Sequence, residues 1–398
     1  VKKKFKQRRK SYMKKKVISI LLTAAMTATM LVGCGSAASG TAATSAAAAA
    51  SAAPAAAATS AAPAAAATSA GAAAATSAAA ATGGAAGKTY AIVVKSAGNP
   101  YNEKEAEGFK KVIEAAGGTC IVKEPEAATA DAQVSVIQSL ISQGVNSISI
   151  AANDENALQS ALQEAMDAGI KVSCLDSKVN ADSRSTFVNQ AGTQEIGQAL
   201  MDAVYDISGG KGQWAILSAT SQATNQNSWI DAMKSIAAAD AKYKDLELVE
   251  VAYGDDEPQK STDQTQALLS KYPDLKVICA PTTVGIAAAA KVLQDQKSAV
   301  KLTGLGLPSE MAEYIGDDDA HSCPYMFLWN PVDLGGLGAY TAMALVDGTI
   351  TGKTGDKFTA GDMGDYTLTD AGDGGSEIIL GPPFKFDPSN IADWKDVY

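Results

Sequence analysis

Tyr90-Ala91-Ile92-Val93-Val94-Lys95-Ser96-Ala97-Gly98-Asn99-Pro100-Tyr101 is the stretch on which the fold turns. A short apolar run that stops at a lysine, a glycine and an Asn-Pro pair has the length and flanks of a buried strand ending in a turn. Helical spacing follows at Phe109, Val112, Ile113 and Ala116, Gly117-Gly118 closes it, and a second apolar run covers Cys120–Lys123. Strand, helix and strand in succession make a βαβ unit, which implies a parallel sheet. The rhythm continues. Apolar runs recur at Ser147–Ala151, Lys171–Leu175, Trp214–Leu217, Leu246–Val251, Lys276–Ala280, Leu302–Leu305 and Met326–Trp329. Amphipathic segments such as Val134, Ile137, Leu140 and Ile141 lie between them, with Gly144 and Gly169 at helix ends. About ten such units are too many for one ordinary doubly wound sheet. The predicted fold class is α/β, with two Rossmann-like lobes.

The chain upstream has another character. Lys2 to Lys16 carries ten Lys or Arg and no acid, and an apolar run from Val17 leads into Leu31-Val32-Gly33-Cys34. A basic segment, a short apolar core and a small residue at the cut describe a secretory signal. Cys34 in the first mature position makes it resemble a lipoprotein signal, in which that thiol is acylated. The alternative is an uncleaved membrane anchor, but the run contains Thr and Ser and is short of the ~20 residues of a span. On either reading the remainder lies outside the cytoplasmic membrane, so residues 1–33 are expected to be the signal. From Gly35 to Gly87 there is no charged residue and almost nothing but Ala, Ser, Thr, Gly and Pro. With no large side chain to bury, residues 34–88 read as a tether, spanning roughly 40 Å as a flexible chain.

Beyond the leader, 23 basic residues face 43 acidic ones, a formal charge of −20. That sign argues against nucleic acid and anionic membrane surfaces as partners. Cys120, Cys174, Cys279 and Cys323 allow two bridges in three pairings. A core of this size needs no staples, and cysteine in a buried strand behaves as a small hydrophobe, which favours free thiols. The case for an enzyme is thin. The one histidine, His321, follows Asp317-Asp318-Asp319 in a polar loop, and no Cys-x-x-Cys, His-Glu-x-x-His or Gly-x-Ser-x-Gly is present. Gly304-Leu305-Gly306 lacks the third glycine of a dinucleotide fingerprint. The Asp317–Asp319 run lacks the spacing of a calcium loop. No cofactor and no metal are expected.

What stands out is the set of polar and aromatic residues at the carboxyl ends of the predicted strands, the edge where open α/β sheets bind ligands. These are Lys95 to Tyr101, Asn153-Asp154, Asp176-Ser177, Gln222 to Trp229, Pro281-Thr282-Thr283, Gly306-Leu307-Pro308 and Trp329-Asn330-Pro331. Carboxylates and carboxamides make paired hydrogen bonds to vicinal hydroxyls, and an aromatic face covers a sugar's C–H surface. A polyol fits that set. Each piece alone also fits a turn.

At these residues the chain resembles the periplasmic-binding-protein type of solute receptor, in the branch of ribose-, rhamnose- and autoinducer-2-binding lipoproteins that feed ABC importers. The likeness covers Thr89 to Tyr398. It rests on Gly98-Asn99-Pro100-Tyr101 after Lys95, Ala151-Ala152-Asn153-Asp154, Leu175-Asp176-Ser177 and Ala219 to Asn227. Ala280-Pro281-Thr282-Thr283-Val284-Gly285, Thr303 to Ser309, Leu328-Trp329-Asn330-Pro331 and Leu380-Gly381-Pro382-Pro383 with Phe386-Asp387 extend it. The resemblance implies two lobes joined by a three-segment hinge and closing on a sugar. The first lobe is expected at 89–188 plus 330–364 and the second at 189–329 plus 365–398. The crossings are expected near Val188–Asn189, Trp329–Pro331 and Asp362–Gly375.

It also implies the site. Lys95 and Asp176 should give charged hydrogen bonds. Asn99, Asp154, Asn225, Gln226 and Thr283 should order the remaining hydroxyls, with Tyr101 and Trp329 as walls and Pro281, Leu307 and Asn330 beside them. Lys95, Asp176 and Gln226 match positions that contact the ligand in autoinducer-2 receptors. Asn225 stands where those carry Asp, and Thr283 where they carry a small alanine. Asn225-Gln226-Asn227 and Pro281 to Gly285 look more like the rhamnose-binding members. The expectation is a monomeric, lipid-anchored sugar receptor that serves membrane permease subunits, with L-rhamnose ahead of autoinducer-2. A surface enzyme acting on carbohydrate would need two carboxylates flanking the bond, for which Asp154 and Asp176 could in principle serve. A sugar-responsive repressor would need a DNA-binding start, and the chain begins instead with a signal and a neutral tether.

Overall fold

The computed structural model describes residues 84–398. The signal, Cys34 and nearly all of the tether lie outside the described residues. Alternation of strand and helix holds from the first element. β1 (Thr89–Val93), β2 (Thr119–Lys123), β3 (Ser147–Ile150), β4 (Lys171–Leu175) and β5 (Thr186–Asn189) are parallel neighbours in one sheet. β6 (Gly212–Ser218), β7 (Leu246–Tyr253), β8 (Leu275–Ala280) and β9 (Lys301–Gly304) form a second parallel sheet, in the order β7-β6-β8-β9. β10 (Met326–Leu328) follows, with Phe327 bridged to Leu305 just past β9. Each apolar run of the sequence becomes a strand within a residue or two of its expected bounds.

The chain then returns to the first lobe. The helix over Pro331–Asp347 packs on the helix over Pro100–Ala115 and on β4. The two helices meet almost backbone to backbone. A Cβ on Gly335 would stand 1.9 Å from the Glu105 carbonyl oxygen, and one on Gly108 would stand 1.9 Å from that of Val332. Nothing larger than glycine fits either place unless the helices part.

The C-terminal segment departs from expectation. After the hairpin of β11 (Lys357–Thr359) and β12 (Asp365–Thr367) come β13 (Thr369–Asp370) and β14 (Ser376–Ile379). β14 pairs parallel with β5, completing a seven-stranded sheet in the order β13-β14-β5-β4-β3-β1-β2. Only β15 (Phe384–Phe386), antiparallel to β10, and the short helix Ile391–Trp394 stand with the second lobe. The segment 365–398 is therefore divided between the lobes, and the third crossing falls at Leu380–Pro383 rather than in Asp362–Gly375. The glycine- and aspartate-rich stretch is held where it is by charge. Both carboxylate oxygens of Asp373 accept from Arg184 Nη2 at 2.8 Å, and Lys178 Nζ reaches Oδ2 at 2.6 Å. Partial burial works against the Asp373 charge, but Lys178, Arg184 and the Gly375 amide outweigh it and hold the carboxyl at about 2.

Cys120, Cys174, Cys279 and Cys323 are free thiols, all but Cys120 fully buried. No helix among the described residues is long and apolar enough to cross a membrane.

Candidate functional site

In each sheet the strand order reverses around the first strand of the lobe. β1 has β2 on one side and β3 on the other, and β6 lies between β7 and β8. Crevices at such switch points open at the carboxyl ends of the strands. Those ends supply the walls of one cavity of about 40 Å³ between the lobes. The first lobe contributes Lys95, Asn99, Tyr101, Asn102 and Asp176. The second contributes Asn225, Gln226, Trp229, Asp256, Pro281, Thr282 and Thr283, with Leu305, Leu328 and Trp329 closing one side.

Lys95, two residues beyond the end of β1, lies 3.0 Å from Asp176 Oδ2, and both side chains are nearly fully buried. A charge removed from water in this way needs a partner of opposite sign and further hydrogen bonds. They are present. Lys95 Nζ also donates to Asn225 Oδ1 of the other lobe at 3.0 Å, and Asn225 Nδ2 donates to Asp176 Oδ2 at 3.2 Å. Tyr101 OH donates to Asp176 Oδ1 at 3.1 Å and accepts from Trp329 Nε1 at 2.7 Å. Asp176 adopts φ 59°, a left-handed conformation uncommon outside glycine. Side chains held off their usual backbone geometry concentrate at functional sites.

The local structure explains these placements. Asn99 caps the Pro100–Ala115 helix by accepting from Tyr101 N at 3.0 Å, which turns Tyr101 into the cleft. Tyr101 and Trp329 meet edge to face, with ring centres 6.3 Å apart, and Trp329 also packs on Trp229. Gln226, in the first turn of the helix Thr224–Ala239, accepts from Ser218 Oγ and Ala219 N, both at 2.8 Å, and so ties that helix to the end of β6. One turn beyond Tyr101, Glu105 is fully buried, and neither of its carboxyl oxygens has a partner among the described residues. Burial, and then the charge of Asp176, pushes its pKa well above the ordinary carboxylate value, with the Lys95 charge pulling the other way. Burial likewise raises the Tyr101 hydroxyl, with the Asp176 charge acting in the same direction.

Nine of the expected residues meet here: Lys95, Asn99, Tyr101, Asp176, Asn225, Gln226, Pro281, Thr283 and Trp329. Three do not. The Asp154 carboxylate is spent on its own turn, with Oδ1 accepting from Asn156 N and Ala157 N at 2.8 Å each. Leu307 is buried in the hydrophobic core ahead of the helix at Pro308. Asn330 caps the helix Pro331–Asp347, with Oδ1 accepting from Val332 N at 2.9 Å. Asp154 and Asn330 are a turn former and a cap former in which local bonding won, whereas Leu307 is drawn into the core by its apolar side chain. The sequence reading also missed Asn102, Trp229, Asp256, Thr282, Leu305 and Leu328. Trp229, Thr282, Leu305 and Leu328 stand inside the motifs that carry the resemblance or the strand-end pattern. Asp256 follows β7, which with β2 is one of two predicted strands at whose end no polar signal was read.

A family model described as a periplasmic binding protein domain matches residues 90–350. The chain belongs to this family. An ABC transporter solute-binding protein from Clostridium phytofermentas, solved with bound L-rhamnose, is 63% identical to this periplasmic binding protein at a TM-score of 0.77. The match covers 79% of this chain and 100% of that one. A sugar ABC transporter protein from Actinomyces odontolyticus is 40% identical at a TM-score of 0.62, over 77% of this chain and 97% of its own. LsrB from Clostridium saccharobutylicum, solved with AI-2, is 23% identical at 0.71, over 77% and 99%, a likeness of fold. The expected family and the two-sheet α/β fold both stand.

Proposed function

We propose that this periplasmic binding protein is the sugar receptor of an ABC importer and that its ligand is L-rhamnose. The observation that carries the ligand is the 63% identity, over 79% of this chain and all of the other, to a solute-binding protein solved with that sugar. The cleft supports the class. A buried Lys–Asp pair, amides from the opposite lobe and aromatic edges from Tyr101, Trp229 and Trp329 suit a hydroxylated ring. Lys95 and Asp176 now bond Asn225 across the cleft. A sugar exchanges those bonds for its own hydroxyls and bridges both lobes, so the closed form gains by the ligand's differential affinity. The permease then reads closure. Cys34 carries the lipid, the tether lifts the receptor off the membrane, and the receptor acts as a monomer that returns its sugar chemically unchanged.

Isothermal titration of the full chain, freed of copurified ligand, against L-rhamnose, ribose, galactose and autoinducer-2 tests this. One-to-one rhamnose binding is expected. Autoinducer-2 binding without rhamnose binding would replace the ligand. It would also mean that Asn225 does the work of an acid.

A further inference from the structure

Asp256 has no place in the sequence motifs, yet it reaches the cavity from the second lobe, opposite Lys95. Its position is set with some care. Asp255 and Asp256 are consecutive left-handed residues, at φ 54° and 55°, a conformation that Asp tolerates better than most side chains. The turn is pinned on both sides, with Asp255 N donating to Ala219 O at 3.0 Å and Glu257 N to Gly254 O at 2.9 Å. Lys260 pairs with Asp255, so that neighbour's charge is already answered. Thr282 Oγ1 donates to Asp256 Oδ1 at 2.7 Å. Oδ2 makes no hydrogen bond and no ion pair among the described residues. Burial pushes the Asp256 carboxyl above its ordinary range, while the Thr282 hydroxyl and the Lys95 charge pull the other way.

We propose that Asp256 is a second ligand-binding carboxylate, oriented by Thr282, and that together with Asp176 it restricts the cleft to uncharged sugars. The proposal rests on the sugar-receptor reading and adds to it a residue and a ligand class. One cation, Lys95, faces two carboxylates in a site shielded from water. Two neutral hydroxyls can donate to Asp176 and Asp256 at once. A uronate or aldonate brings a third negative charge to one positive one, and like charges at close quarters in low dielectric repel strongly. The strand end after β7 therefore takes part in selection, although Asn225 and Thr283 are the positions at which the resemblance separated the candidate ligands.

The test is titration of the full chain and its Asp256→Asn and Thr282→Val variants with L-rhamnose and with L-rhamnonate as the acidic probe. Asn also accepts the left-handed conformation, so Asp256→Asn leaves the turn intact, and thermal unfolding checks that it does. Wild type is expected to bind rhamnose and to ignore the acid. Asp256→Asn should weaken rhamnose binding about tenfold, since hydrogen bonds to a charged group are roughly twice as strong as neutral ones. It should also flatten the loss of affinity as pH falls through the range in which Asp256 takes up its proton. The groups facing it are Lys95, Asp176 and Asp255, so a wild-type acid limb that survives in the variant belongs to one of those. Thr282→Val should cost a few-fold. Rhamnose affinity within twofold of wild type in Asp256→Asn, or firm wild-type binding of rhamnonate, overturns the proposal. Wild type silent to rhamnose marks instead the failure of the rhamnose reading. Asp256 is then judged by the same variants on whichever sugar of the wider panel binds.

Discussion

On the first-lobe wall of the cleft, Lys95, Tyr101 and Asp176 bond one another and Trp329 in one buried cluster. On the second-lobe wall, Asn225, Gln226 and Asp256 are oriented separately, by Lys95, by the end of β6 and by Thr282. The first wall stands on helices locked backbone to backbone at Gly108 and Gly335. The second is assembled from the first turns of helices and one strained turn. The difference teaches a division of labour. The first wall holds its charges in one cluster on a rigid support, whereas the second presents separately held amides and a carboxylate to it.

Three perturbations test that division, and the largest effect belongs to the cluster. Asp176→Ala should lower sugar affinity by about 1.5–3 kcal/mol or more, the scale of a hydrogen bond to a charged group. The variant also leaves Lys95 buried without its carboxylate. Titration calorimetry reads it, and unchanged affinity would remove the first wall from the site. Gly335→Ala attacks the support instead. Overpacking costs about 1–3 kcal/mol and exceeds the ~1 kcal/mol that Ala gains over Gly in a helix, so the thermal midpoint should fall. Sugar affinity, measured below that midpoint, should fall with it, because the cluster rides on the displaced helix. The smallest effect concerns the latch beside β14. The Asp373 carboxyl titrates at about 2 in the folded chain and near 3.9 when unfolded. Its stabilisation is complete above the unfolded value and is lost as pH falls toward 2. Asp373→Asn should remove that contribution, lowering stability slightly at neutral pH and making the acid limb of the stability profile less steep. Sugar affinity at neutral pH should be unmoved, and a large change would place the latch in the closure itself.

Sequence patterning made most of the architecture legible. Apolar runs such as Tyr90–Val94 and Val277–Ala280 are buried on both faces, so continuous hydrophobicity marks them as parallel strands. β5 and β14 were harder to read, being Thr-Phe-Val-Asn and Ser-Glu-Ile-Ile. At four residues each, their pairing partner rather than their own composition makes them strands. That is why the last crossing was misplaced. In the site, residues at strand ends were found because they sit in recognisable motifs. Asp154 and Asn330 sit in such motifs too and were misjudged, because the same side chain serves a turn or a cap and only coordinates reveal which hydrogen bonds it has already made.

By itself, then, the sequence determined the βαβ alternation, the two-lobe class, the family and the position of Lys95 and Asp176 at strand ends, all of which depend on local pattern or on motifs carried in linear order. Tertiary structure alone decided that β14 joins the first sheet, that Asp256 faces Lys95 across the cavity, and that Asp154, Leu307 and Asn330 turn elsewhere. Those outcomes depend on contacts between residues far apart in the chain, where competition among partners for a limited set of donors and acceptors leaves no trace in local pattern.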